Sequence, residues 1–249
     1  MSDISALQNR NTNEPDVNNV WTVSSVVIGS GVALLALFTG PLLVSEYISK
    51  LAVSESQAGF IVSVELGGFT LGAAILFGIA RLNWRRIMSV ALLIMILGNL
   101  MCSLVDNLST FILCRFVAGL GAGVVMTMTI QVIGIMRSPD RVYGMWTVGQ
   151  LSLGALGMLV FPAVIALSSV NAVFLIWALL AAVLFISVRF YPQGRDAESS
   201  MTENLNSKGR RALGLLGLLG LFVYYGGQAG VWVYLERVGF SWGIEREQV

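Results

Sequence analysis

Seven stretches long enough to cross a lipid bilayer follow one another along this chain, each nearly free of charge. They are read near Val20–Val44, Ala58–Ala80, Ile87–Val105, Thr110–Met136, Tyr143–Leu167, Ala172–Phe190 and Ala212–Leu235. An α-helix rises about 1.5 Å per residue, so a hydrocarbon layer of ~30 Å takes about 20 apolar residues. Barrel strands alternate and are about half as long, so continuous runs predict an all-α, multi-pass membrane protein. Composition agrees. Of 249 residues, 56% are hydrophobic and 12% charged, whereas soluble domains carry about 25% charged residues.

Several classes of function drop out at once. The chain has no histidine and two cysteines, which removes His-dependent zinc sites, Ser-His-Asp triads and a disulfide framework. A net charge of +1 offers no basic field for nucleic acid. No GxxxxGK[ST] loop occurs, so the chain does not drive itself with a nucleoside triphosphate. No metal site, cofactor or enzymatic reaction centre is expected.

Orientation follows from the basic residues, which gather on the cytoplasmic side of membrane proteins. With the N-terminus inside, the inner segments hold eleven, among them Arg81, Arg85, Arg86, Arg137 and Arg141. The outer segments hold three, Lys50, Arg237 and Arg246, and Arg115 lies within a span. A multi-pass protein of the cell (inner or plasma) membrane with a cytoplasmic N-terminus is expected. Residues 1–19 are polar and read as a disordered cytoplasmic leader, since a secretory signal has a basic start and a shorter apolar stretch. Residues 20–191 form a six-helix bundle, and 192–211, with Pro192, Gly194 and Ser199, a cytoplasmic linker. Residues 212–249 read as the first helix and outer loop of a second bundle, so a truncated twelve-helix fold is expected.

Four places in the sequence resemble the major facilitator superfamily of secondary transporters. Arg115-Phe116-Val117-Ala118-Gly119-Leu120-Gly121-Ala122-Gly123 looks like the RxxxGxGxG motif of that family's fourth helix. The loop from Gly78 through Arg81 to Arg85 and Arg86 is similar to its GxxxDRxGRR segment, with Trp84 at the glycine position before the basic pair and no acidic residue. Ser54-Glu55-Ser56-Gln57-Ala58-Gly59-Phe60 looks like the family's entry to the second helix, and six helices, a polar linker and a new helix match the first part of its 6+6 architecture. The fifth span carries Phe161-Pro162 where the family's antiporters have Gly-Pro, so drug/proton antiport is not implied. The resemblance implies an alternating-access carrier in which Gly78, Arg81, Arg85 and Arg86 form a conformational loop.

Within the membrane, Glu65 stands out. It lies about 7 residues into the second span, ~10 Å from the outer edge by helical rise, where a carboxylate costs on the order of 3 kcal/mol to insert. Burial favours its neutral form and a nearby cation its charged form, a balance suited to binding and releasing a proton. Arg115, about 5 residues into the fourth span and ~8 Å deep, is its natural partner if the two helices touch. The alternatives are a structural acid bonded to a neighbouring backbone and an arginine reaching back to the interface.

Gly68 and Gly72, and Gly119 and Gly123, are spaced four apart, which with Gly121 marks close helix packing. Tyr225, Gln228, Trp232 and Glu236 share one helical face of the seventh span, a stripe suited to stacking and hydrogen bonding with an amphipathic or cationic solute. Gln131 and Gln150 join Tyr225, Gln228 and Trp232 as expected cavity residues, while Asn99 is read as an amide bonded across helices. The function expected is proton-coupled transport of a small solute, with the bilayer, that solute and H+ as partners and no nucleic acid. A non-transporting membrane fragment and a seven-helix receptor-like protein are the alternatives. A cytoplasmic N-terminus and the absence of lysine from the seventh span oppose a receptor or a retinal pump.

Overall fold

A computed structural model describes residues 17–79, 82–193, 216, 219–220, 223, 227–228 and 231–242. The helices are α1 (Val20–Phe38), α2 (Gly40–Leu51), α3 (Glu55–Ile79), α4 (Trp84–Leu104), α5 (Leu108–Gly134), α6 (Pro139–Leu167), α7 (Val170–Ser187) and α8 (Leu235–Ser241), with a 3-10 turn at Val188–Phe190. Six of them, α1 and α3 to α7, are long and apolar enough to cross a membrane, and the described residues contain no strand. The expected seventh span falls largely outside the described residues.

Local chemistry starts the helices where they begin. Asn19, Asn83 and Asn107 each cap a helix N-terminus, their side-chain oxygens accepting otherwise unpaired backbone N–H groups. Asn83, for example, accepts from the amides of Arg85 at 3.0 Å and Arg86 at 3.3 Å. Before α3, Ser54 and Gln57 form a reciprocal capping box: the Ser54 amide donates to Gln57 Oε1 at 2.9 Å, and the Gln57 amide to Ser54 Oγ at 3.3 Å.

The first span differs from the single run Val20–Val44. It breaks at Thr39, and a second helix continues to Leu51. Pro41 has no N–H to give the Leu37 carbonyl four residues back, so the ladder fails there; just before it, the Thr39 amide and hydroxyl both donate to the Leu35 carbonyl, at 2.9 and 2.7 Å. Pro162, by contrast, sits inside an uninterrupted α6.

Helix α5 occupies the centre, with α3 on one side and α4 on the other; α1 packs against α6 and α5, and α7 lies on α4. Glycines set how closely these axes approach. A Cβ on Gly68 or Gly72 of α3 would strike the carbonyl oxygens of Phe116 or Leu120 on α5. Conversely, a Cβ on Gly119 or Gly123 would strike those of Glu65 or Phe69 on α3. Gly121 faces the other way, its added Cβ falling 2.6 Å from the Ala91 oxygen of α4. In lipid, where apolar burial drives little association, such contact supplies much of the attraction between helices.

Outward faces of α4 and α7 carry exposed apolar rows, Val90, Leu93 and Leu97 on one and Leu175, Leu179 and Val183 on the other, as surfaces against acyl chains should. At the Trp84 end, Arg85 Nε donates to the Tyr191 carbonyl at 2.6 Å and the Thr22 hydroxyl to that of Phe190 at 3.0 Å. These bonds tie the chain after α7 to the starts of α4 and α1. Trp84, in the loop motif's glycine position, is 3% exposed and belongs to the core.

The interior holds two apolar clusters. One, towards the Trp84 end, includes Leu92, Met95, Val125 and Met128; the other, towards the Lys50 end, includes Tyr47, Phe111, Phe174 and Trp177. The polar layer described next lies between them.

Candidate functional site

The closeness of α3 and α5 decides the site. Gly119 has no side chain to hold the α3 backbone off at Glu65, so the Glu65 side chain reaches Arg115 one turn earlier on α5. Arg115 Nε donates to Glu65 Oε2 at 3.2 Å and Nη2 donates to Oε1, a two-pronged ion pair. Nη1 donates to Asn99 Oδ1 on α4 at 3.1 Å, and Asn99 Nδ2 donates in turn to the Met95 carbonyl at 2.9 Å. The guanidinium also lies 5.4 Å from the Phe174 ring centre and 5.3 Å from that of Trp177, distances at which an aromatic face attracts a cation. Arg115 is 1% exposed, whereas the Glu65 side chain keeps 13%. Burial of this kind costs several kcal/mol per ion and is tolerated because each charge is paired and hydrogen-bonded.

Two spaces adjoin the pair. An open apolar cleft between α1 and α3, floored by α5, includes Ala36, Leu37, Val62, Leu66 and Gly119, with Glu65 in its wall. Behind it a recess of about 10 Å³ touches Glu65, Asn99, Arg115 and Trp177. Ala33, Ala36, Glu65 and Ala122 line both spaces, so Glu65 stands between the cleft and the arginine.

A second cation was read in the sequence only as an outer-segment charge. Lys50 Nζ donates to Asn171 Oδ1 at 2.5 Å and to the Cys102 and Val105 carbonyls at 3.5 Å each, with Asp106 at 3.8 Å. It thereby joins α2 to the C-terminal end of α4, where free carbonyls favour a cation, and to α7. Its ammonium lies 5.3 Å from the Phe111 ring centre and 5.9 Å from Phe174, so Lys50 and Arg115 share one aromatic neighbour. Burial holds the Lys50 amine below the ordinary lysine range, and Asp106 opposes that pull. The spacing of Tyr47 and Lys50, three residues apart on α2, was the available signal. The aromatic partners gave none, since Phe and Trp in a membrane span read as ordinary apolar residues.

The other expected cavity residues lie elsewhere. Gln131 Oε1 and Gln150 Nε2 are buried without a hydrogen-bond partner among the described residues, and neither side chain lines the cleft or the recess. Tyr225 and Arg81 lie outside the described residues. Gln228 is exposed on helical backbone, Gly78 belongs to α3, and Arg86 is exposed. Trp232 donates through Nε1 to the Leu37 carbonyl at 3.2 Å, the acceptor that Pro41 leaves without its helical donor. Replacing Trp232 with Phe should cost about 1 kcal/mol, the value of one such bond, and lower the melting temperature of the purified protein without disturbing Glu65. Cys102 and Cys114 are buried free thiols.

The described residues form a bundle of membrane-length helices with a bonded acid–base pair between α3 and α5. Residues 23–245 match the Major Facilitator Superfamily, and the chain belongs to that family of membrane transporters. Over 174 residues it is 28% identical to the niacin transporter NiaP of Acinetobacter baylyi, a match covering 67% of this chain and 39% of that protein. The chain thus spans about two fifths of the length of that curated relative.

Proposed function

We propose that the complete protein is a secondary active transporter that moves a small solute together with protons by alternating access, with the Trp84 end cytoplasmic and the Lys50 end outside. The observation that carries this reading is the two-pronged pair of Glu65 and Arg115, buried between α3 and α5 with Glu65 at the wall of a cleft. A carboxylate so placed takes up a proton when the cleft opens to one side and gives it up when the cleft opens to the other. Arg115 stands where it pairs with the carboxylate that proton release leaves. On this reading residues 20–191 form the first bundle, and residues 192–211 lead to a second that completes the cavity. Gly78, Arg81, Arg85 and Arg86 serve as a conformational loop on the cytoplasmic side. Gln131, Gln150, Tyr225, Gln228 and Trp232 are assigned to the cavity of the complete carrier.

Reconstitution of the complete protein in vesicles tests this, with niacin as the first solute because a relative carries it. The wild type should accumulate solute when a pH gradient is imposed. Glu65→Gln should abolish that accumulation while leaving membrane insertion and solute exchange without a gradient. Undiminished pH-driven accumulation by Glu65→Gln would falsify the assignment.

A further inference from the structure

Three arginines at the Trp84 end of the bundle stand apart from the buried pair, on the rim where α4 begins and α7 ends. We propose that Arg85, Arg86 and Arg189 bind the phosphate of a lipid whose headgroup is net negative, with its acyl chains along the outward faces of α4 and α7. Nothing in this site depends on the role given to Glu65.

Helices α4 and α7 lie antiparallel, the start of one beside the end of the other: Arg85 bonds just past α7 at one end, and Lys50 joins Cys102 to Asn171 at the other. Their basic ends therefore share one rim. Arg85 Nε donates to the Tyr191 carbonyl, two residues beyond Arg189. That bond uses one of five N–H groups on the guanidinium, and the other four meet no acceptor among the described residues. Arg189 is exposed, its guanidinium 4.7 Å from the Phe190 ring centre. Phe190 in turn stacks on Trp21 at the start of α1, with the ring planes 16° apart. A guanidinium seated on an aromatic ring keeps its N–H groups for an anion. Arg86 is exposed as well. Among the described residues no carboxylate pairs with any of the three, so the rim presents positive charge that an anion would complete.

Position selects a lipid as the source of that anion. On α4, Arg86, Val90, Leu93 and Leu97 follow at intervals of four, three and four, so they share one helical face. On α7, Leu179, Val183 and Ile186 lead to Arg189 in the same way. The apolar members of both rows are exposed, on helices long and apolar enough to cross a membrane. Each row thus meets acyl chains along its length and ends on a guanidinium. Trp21, 63% exposed beside Phe190, marks the level, since amphipathic rings gather at the membrane–water interface. A phosphodiester offers two oxygens that a planar guanidinium takes side by side. A choline headgroup would bring its own cation to a rim already positive, whereas a glycerol headgroup leaves the phosphate charge for the arginines.

The test is a lipid titration of the purified complete protein in an uncharged detergent, read by native mass spectrometry. Phosphatidylglycerol and phosphatidylcholine with the same chains are compared, and glycerol phosphate serves as the phosphate without tails. A basic residue beside an anionic headgroup is worth about fivefold in affinity, so the wild type should prefer phosphatidylglycerol to phosphatidylcholine by at least about tenfold. Glycerol phosphate, with no chains to lay on α4 and α7, should bind far more weakly than phosphatidylglycerol. Arg189→Gln should weaken phosphatidylglycerol binding about fivefold. Arg141→Gln, which removes the same charge from the exposed start of α6, should leave it unchanged. Equal affinity for the two lipids, glycerol phosphate bound as tightly as phosphatidylglycerol, or equal losses in the two variants would overturn the proposal. The comparison of lipids on the wild type needs no substitution, so it decides even where a variant folds poorly.

Discussion

Replacing Gly123 with Val is expected to keep the bundle from assembling. An added Cβ would lie within bonding range of the Phe69 carbonyl oxygen, and the obstacle is backbone rather than a side chain that can swing aside. Helices α3 and α5 would have to separate along their whole contact, releasing the fit at Gly68, Gly72 and Gly119 and pulling Glu65 from Arg115. Overpacking a well-fitted core costs about 1–3 kcal/mol, and this case should lie at or beyond the upper end. Gly67→Ala is the matched control: it lies in the same helix, has nothing within 4 Å of an added Cβ, and should be neutral or slightly stabilising through helix propensity. Fluorescence-detected size exclusion after heating separates the two, with Gly123→Val aggregated and Gly67→Ala eluting as the wild type does. Similar behaviour of the two variants would show that the glycine contacts do not govern packing.

The second large effect concerns charge. Arg115→Met leaves the Glu65 carboxylate beside an apolar core with its cation gone. Removing one member of a buried pair costs about 3–5 kcal/mol because the other charge stays uncompensated. Arg115→Met combined with Glu65→Leu should recover most of that loss, since two apolar side chains replace two charges. A double-mutant cycle on thermal stability measures it: a strong interaction between the sites is expected, and additive losses would mean that the two side chains do not meet. The recovered double variant should still fail to couple solute movement to protons, which divides stability from function.

The sequence made the central pair legible because a carboxylate and a guanidinium inside apolar runs are costly and conspicuous. Their similar distances from the outer helix ends placed them at one depth, and the four-residue spacing of Gly68 with Gly72 and Gly119 with Gly123 marked the contact that joins them. The aromatic setting was not legible. Phe174 and Trp177 sit in α7, far along the chain from Arg115, and nothing in their local pattern separates a cation's neighbours from residues facing lipid. Lys50 is hidden for a related reason: its partners Asn171, Cys102 and Val105 come together only through the packing of α2, α4 and α7. At Pro41 a kink was foreseeable, whereas the separate helix beyond it, carrying Tyr47 and Lys50, depends on where the broken ladder restarts. Asn99 was recognised as an interhelical amide, but its partner Arg115 was not.

Infrared difference spectroscopy on the complete carrier, with isotope-labelled glutamate, tests the central claim most directly by following the carbonyl stretch of Glu65 as solute is added. The account expects a protonated-carboxyl band to grow with solute and to vanish in Glu65→Gln. An ionised Glu65 that stays ionised through binding and release would contradict it.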